Sequence, residues 1–423
     1  MTAMTMPKCK TDCTRLVRLS SGAMLHGMVK IVLACCVLAT VATAQGEDFV
    51  TFETRQLDGK FRSEGVSVGD FNADGKMDIA AGSAWYAAPD WTMHPIADAV
   101  EEFDPHAYSN SFVNVSSDVD GDGARDVIVV GFPGKETWWW KNPGKGEGRW
   151  RRNLCTEVSN NESPTFCDVN GDGRRELLLG TREAADGADK PREGMALLNP
   201  TTDPFLPWKV RIIAGPADPA AEVFGHGLGI GDINRDGRTD ILVTSGWWEQ
   251  PAGDNGHMAW SFHRAPFGEA CAQMHVFDFD GDGDNDVVSS SAHQVGIWWH
   301  EQTADGWQTH TISTLFSQTH ALELADINGD GLPDLVTGKR WWAHGPKGDV
   351  DPSAPAVVYW FELTRRDGKP VWLPHLIHDN SGVGTQFEVA DINADGLLDI
   401  AVSNKKGVFY HRQVRNTVAA TRK

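Results

Sequence analysis

Seven short acidic stretches carry the most legible chemistry in this chain. Each reads Asp-x-(Asp/Asn)-x-Asp-Gly-x-x-(Asp/Glu), beginning at Asp70, Asp118, Asp168, Asp232, Asp278, Asp326 and Asp391. In the first, Asp70, Asn72, Asp74 and Asp78 hold positions one, three, five and nine, Gly75 supplies the turn, and the Lys76 carbonyl falls at position seven. A hard divalent cation wants about 6–8 oxygens converging on one point, which this alternation delivers. The second loop offers Asp118, Asp120, Asp122, Ala124 and Asp126; the third Asp168, Asn170, Asp172, Arg174 and Glu176; the fourth Asp232, Asn234, Asp236, Arg238 and Asp240. The fifth offers Asp278, Asp280, Asp282, Asp284 and Asp286; the sixth Asp326, Asn328, Asp330, Leu332 and Asp334; the seventh Asp391, Asn393, Asp395, Leu397 and Asp399. Asx-rich turns also form without an ion. Seven copies of crowded carboxylates would repel one another without cations, so the expectation is calcium, up to seven structural ions, with magnesium in some loops an alternative.

A second group lies just before these loops. Six residues ahead of a first Asp stand Glu64, Glu162, His226 and His320, and five ahead stand Gln273 and Gln386. Nearby are Arg62, His106, Tyr108, His275, Lys339, Arg340 and His344. Histidine and glutamate at one mouth can bind a sugar, hold an additional divalent metal, or move protons. The candidates for such a site are His226, His320, Glu64, Glu162, His106 and Tyr108; the competing reading is a wet, polar channel with no dedicated site. No cofactor-binding motif and no catalytic nucleophile stand out.

The elements that position both groups follow from a repeat. The first aspartates are separated by 48, 50, 64, 46, 48 and 65 residues, a blade-length period with two insertions. An alternating run precedes each loop (Val66-Ser67-Val68) and an apolar run follows it (Asp126-Val127-Ile128-Val129-Val130), so each loop joins two strands. A third strand is aromatic, as in Trp138-Trp139-Trp140. A fourth carries an aromatic followed at +3 by a long polar residue and at +5 usually by an apolar one, as in Trp91/His94/Ile96 and Trp307/His310/Ile312. The last unit lacks this strand, and Phe52/Arg55/Leu57 has its spacing. The expected fold is therefore all-β, a seven-bladed propeller of four-stranded blades, with the N-terminal strand completing the last blade. The insertions Ala184 to Glu193 and Ala343 to Ala356, and the long connection Ala97 to Ser111, fall on the rim opposite the acidic loops. Most tryptophans should pack between blades, and His94, His263, His310 and His375 should be structural partners.

Residues 1–44 read differently. Arg15, Arg18 and Lys30 precede an apolar run from Ile31 to Val41 and then Ala42-Thr43-Ala44, the pattern of a secretory signal peptide. The expected division is 1–44 leader, 45–413 propeller and 414–423 tail, in a secreted or periplasmic protein, with cell-surface association open. No later segment suits a membrane helix. A net charge of −20 argues against nucleic acid as a partner. Cys155, Cys167 and Cys271 allow one disulfide but no disulfide framework.

The seven loops and their flanking strands resemble the FG-GAP/VCBS repeat family, integrin-like propellers that bind calcium in blade loops. The resemblance spans about residues 49–413 and implies that the Asp/Asn positions are calcium ligands. Gly296-Ile297-Trp298-Trp299 and Ser381-Gly382-Val383-Gly384-Thr385-Gln386 are similar to segments of secreted planctomycete-type repeat proteins. A weaker similarity is to the propeller of aldos-2-ulose dehydratase, a sugar lyase that also uses cupin domains, for which this sequence leaves no room. The expected function is a monomeric, calcium-stabilised binding or scaffold module for a carbohydrate or an extracellular or periplasmic protein. The alternative is a carbohydrate lyase using the His/Glu mouth.

Overall fold

A computed structural model describes residues 48–417 apart from 146–147, 184–191, 215–220, 255 and 257. The expected leader, most of the Ala184 to Glu193 insertion and the end of the tail lie outside the described residues. Within them the chain is all strand and turn, with no helix.

The unit is a four-stranded antiparallel meander. Its first copy runs Ser67–Gly69, Asp78–Ala81, Ala84–Ala87 and Thr92–Pro95, paired in that order. The second strand is wholly buried, because both of its faces meet other strands: Ile79, Ala80 and Ala81 are each inaccessible to solvent. That explains why these strands read as continuous apolar runs. The aromatic third strand packs outward between blades: Trp85 lies edge-on to Phe71, which in turn meets Trp150 of the next unit. Most of the tryptophans are buried and none is exposed.

The fourth-strand histidines stack on third-strand indoles. His94 lies on Trp85, His263 on Trp247, His310 on Trp299 and His375 on Trp360, with ring centroids 4.3–4.4 Å apart. Glu249, Glu301 and Glu362 bond the outer nitrogens of the last three. These are structural partners, worth about 0.5–1.5 kcal/mol each beyond burial if they behave as aromatic pairs.

Seven separate four-stranded sheets are not what the pairing gives. Five sheets have four strands, and the remaining eight strands form one continuous sheet. Its junction is a parallel pairing of two innermost strands, Leu228–Gly231 and Gln273–Phe277, in the register Leu228↔Gln273 to Ile230↔His275. Gly229 makes this possible: a Cβ there would sit 2.2 Å from the Met274 carbonyl oxygen, so only a bare backbone lets the two strands approach.

The ring closes as expected. Asp48–Asp58 pairs with Gly407–Thr417 along ten positions, from Asp48↔Thr417 to Asp58↔Val408, so the first strand completes the last sheet. The closing strand continues to Thr417, past the expected boundary at 413. Cys155, Cys167 and Cys271 are all free thiols.

Candidate functional site

Each acidic loop spans the turn between the first two strands of its sheet. The first Asp side chain organises the turn: Asp70 Oδ1 accepts the Asp74 N–H at 3.1 Å and Oδ2 the Gly75 N–H at 2.9 Å. Gly75 sits at φ +86, the left-handed backbone the turn needs. Asn72 and Asp74 each accept a further N–H, from Asp74 and Lys76, both at 2.9 Å. The position-nine carboxylate is buried and staples the loop to the sheet. Asp78 takes the Phe71 N–H at 3.0 Å and the Ala88 N–H at 2.9 Å. The first of these bonds recurs at Asp126, Glu176, Asp240, Asp286, Asp334 and Asp399.

The loop residues fit a hard cation. Carboxylate oxygens of Asp118, Asp120 and Asp122 lie within 4.8 Å of one another, as do those of Asp168, Asp172 and Glu176 and of Asp278, Asp280 and Asp282. The buried Oδ1 of Asp120 has no hydrogen-bond partner. Protein cations already lean in: the Lys141 ammonium bridges Asp120 and Asp122, and the Arg238 guanidinium caps Asp236. Burial, with neighbouring loop carboxylates adding to it, pushes Asp78 and Asp240 up to about 6 and Asp126 and Asp334 up to about 7. An oxygen-rich anionic set of this kind suits calcium.

At the other rim the residues ahead of the loops converge on Arg340, which is buried. Its Nε and Nη2 reach Glu64 Oε2 at 3.0 and 2.9 Å, and its Nη1 reaches Glu162 Oε2 at 3.3 Å. His320 Nδ1 lies 3.3 Å from the same Nη1. Four repeats thus contribute to one hub, because His226 Nε2 is 3.7 Å from Glu162 Oε2. Around it stand His293 and His344, joined by Asp349: His293 Nδ1 meets Oδ1 at 3.2 Å and His344 Nδ1 meets Oδ2 at 2.7 Å. Burial alone would raise the Asp349 carboxyl, but the hydrogen bonds from His293 and His344 hold it below its usual range. Burial, then the Arg340 charge, depresses His320, and burial also depresses His226. Burial raises Tyr108, whose ring lies 6.1 Å from that of His344.

Beside this hub an aromatic pair directly precedes the Ala343 to Ala356 insertion. Trp341 and Trp342 stack at 5.4 Å, and Trp342 is held at φ +58, a strained backbone for a bulky residue. His106 meets the Trp342 ring edge-on at 4.7 Å. Lys406 Nζ sits 4.4 Å from the centre of the Trp341 ring. Lys405 Nζ donates to the Trp342 and Ala343 carbonyls and lies 4.9 Å over Tyr108. With Pro105 and Asn380 these residues line a groove of about 510 Å³.

Of the residues expected at the mouth, Glu64, Glu162, His226, His320, Arg340 and His344 are brought together, and Tyr108 borders them. His106 stands apart, in the indole groove. Arg62 pairs with Asp58 at 2.8 Å, His275 bonds the Leu322 carbonyl at 2.9 Å, and Lys339 bonds Ser317 Oγ at 2.7 Å, so these three serve packing. Gln273 and Gln386 knit inner strands together through backbone groups. The sequence reading missed His293, Asp349, Trp341, Trp342 and Lys405. The Trp341-Trp342 pair directly after Arg340, and the long insertion that follows it, were the available signals.

No curated protein matches the sequence significantly. Among solved structures, a lectin from Agrocybe aegerita that recognises non-reducing terminal N-acetylglucosamine is 16% identical, with a TM-score of 0.45 over 79% of this chain and 82% of that one. Rhamnogalacturonan lyase YesW is 13% identical, TM-score 0.43, over 85% and 75%. The exotype lyase YesX is 13% identical, TM-score 0.42, over 87% and 74%. The family model described as FG-GAP-like repeat matches residues 118–179 and 278–337, segments that hold the acidic loops at Asp118, Asp168, Asp278 and Asp326. Over those two segments this chain is similar to FG-GAP-like repeat proteins.

Proposed function

We propose that this protein is an extracytoplasmic carbohydrate-binding propeller whose binding face is the Trp341/Trp342 groove. The supporting observation is the groove itself: two half-buried indoles flanked by Lys405, Lys406 and His106. Indole faces suit the apolar face of a sugar ring, and ammonium groups select for a carboxylate on it. The ligand class is therefore an acidic oligosaccharide, such as a uronic-acid chain.

In this reading the eight-stranded sheet acts as two blades fused at their inner strands, so the ring has seven. Calcium in the seven loops holds each blade turn rigid and neutralises much of the net charge, while taking no part in binding. Export through a leader at residues 1–44 places the protein where calcium is plentiful. The protein works as a monomer, since the closed ring leaves no inner edge to pair.

Isothermal titration with a tetragalacturonate and with its neutral galactose counterpart tests the reading. The uronate should bind to the wild-type protein at least ten-fold tighter than the neutral sugar, and Trp341→Ala should abolish binding with the fold intact by circular dichroism. Equal binding by both proteins would refute it.

One observation favours a second reading, a carbohydrate lyase. Arg340, Glu162, His226 and His320 form a charged constellation next to the groove, with a neutral imidazole able to accept a proton. Release of unsaturated product from the same uronate, lost in His226→Ala, would establish it; an intact polymer after prolonged incubation would eliminate it.

A further inference from the structure

We propose that His226, His293 and His320 form a binding site for one late first-row divalent cation, zinc by preference, distinct from the calcium loops. Each residue offers a nitrogen within 4.8 Å of the others'. Ring centroids are separated by 4.8 Å for His226 and His293, 5.3 Å for His293 and His320, and 5.8 Å for His226 and His320. Three imidazoles with no thiolate and few free carboxylates select for zinc, copper or nickel over calcium, which prefers oxygen.

The second observation is the state of the nitrogens. Nε2 of His226 and Nε2 of His320 are both buried without a hydrogen-bond partner, and unsatisfied buried nitrogens are costly. The surroundings set the ligating atom. His226 Nδ1 lies 2.7 Å from the Phe224 carbonyl, which fixes the proton there and leaves the Nε2 lone pair free. His293 Nδ1 faces Asp349 at 3.2 Å, the carboxylate support typical of a metal-bound imidazole. His320 Nδ1 accepts from Arg340 Nη1 at 3.3 Å, so ligation through Nε2 requires that donor to give way and Nδ1 to take the proton, toward Glu162 Oε2 at 3.8 Å.

The backbone also carries strain here. Phe224, which holds His226 in place, sits at φ +66. That is a costly conformation for an aromatic residue, of the kind kept at ligand sites. Three protein ligands leave a tetrahedral ion one open position. His293 is the most exposed of the three, at 28% of its side chain against 11% for His226 and 2% for His320, so that position faces the rim.

The site does not depend on the sugar reading and is tested without saccharide. The full-length protein, stripped with chelator and returned to millimolar calcium, is titrated with zinc, and separately with cobalt(II) to read tetrahedral coordination by its visible absorption. One equivalent should bind, with calcium content unchanged. His226→Ala and His293→Ala should each weaken zinc binding by at least 100-fold. Asp349→Asn, which removes no ligand, should weaken it by about 10–100-fold. His106→Ala, beside the groove, should leave it unchanged. Zinc binding equal in wild type and all four variants, or no zinc bound in excess of one tenth of an equivalent, would overturn the proposal. Should either alanine variant fail to fold, Asp349→Asn with the cobalt spectrum decides: an unaltered affinity and spectrum would overturn it. Loss of sugar binding in Trp341→Ala with zinc retained would separate the two sites.

Discussion

Replacing Arg340 with methionine isolates the charge that holds the upper channel together. The guanidinium is 1% exposed and meets Glu64, itself fully buried, at 2.9 Å, and Glu162 at 3.3 Å. Methionine keeps much of the volume but leaves two buried carboxylates without a counter-charge. Breaking such a pair from one side costs about 3–5 kcal/mol, more than the pair gains over an apolar replacement. Spread over a ring of roughly 370 ordered residues at about 2.1 cal/mol/K each, this lowers the melting temperature by about 4–6 °C. The same logic makes the double variant Arg340→Met/Glu64→Gln milder than the single one, because one of the two stranded charges is gone. Differential scanning calorimetry in saturating calcium reads both. A double variant as unstable as, or less stable than, Arg340→Met would refute the reasoning, since the loss would then be packing and not an unpaired charge.

Further expectations follow from groups elsewhere in the ring. His300, bonded to Ser289 and Thr309, is depressed to about 4 by burial, and His411 is depressed to about 3 by burial and then by His378. Both bind a proton more readily when unfolded, so their stabilisation is complete above about pH 6.5 and is lost as pH falls toward 4 and then 3. Calorimetry from pH 7 to 4.5 in calcium should show falling stability, and His411→Gln should flatten part of the slope. At the lower end of the channel, enclosure and then the Glu388 charge push Glu323 up to about 8. A raised carboxyl destabilises the fold as pH rises from about 4.5 to 8, so Glu323→Gln should raise the melting temperature at pH 8.5 and leave it unchanged at pH 4.5. In loop two, Lys141→Met frees Asp120 and Asp122 from their ammonium partner. It should strengthen calcium binding there if the lysine competes with the ion, read as a higher calcium-induced melting shift than in wild type.

The acidic loops, the strand order around them and the closing N-terminal strand were legible because each obeys a local rule repeated seven times. A carboxylate at position one, glycine at position six and an apolar run after position nine are consequences of one turn and one buried strand. What crosses between repeats was harder to read. The parallel junction of Leu228–Gly231 with Gln273–Phe277 depends on Gly229, a residue that in sequence looks like any other loop-adjacent glycine. Gly231, its neighbour two residues on, reads the same way in sequence. Glu64, Glu162, His226 and His320 could be placed at one mouth by counting back from each loop, since the ring repeats. His293 and Asp349 could not, because they sit in connections whose length and path follow no repeat. Trp341 and Trp342 were hidden by a different cause: in a chain with 17 tryptophans, periodic packing is the ordinary explanation, and these two depart from it only by standing directly before an insertion.

The most direct test of the account is amide hydrogen exchange on the full-length protein in calcium, with and without a saturating tetragalacturonate. Binding at the indole groove predicts added protection confined to the segments around 104–108, 340–346 and 404–407, with the acidic loops unchanged. Protection at the loops beginning at Asp70 to Asp391, or none at the upper rim, would contradict it.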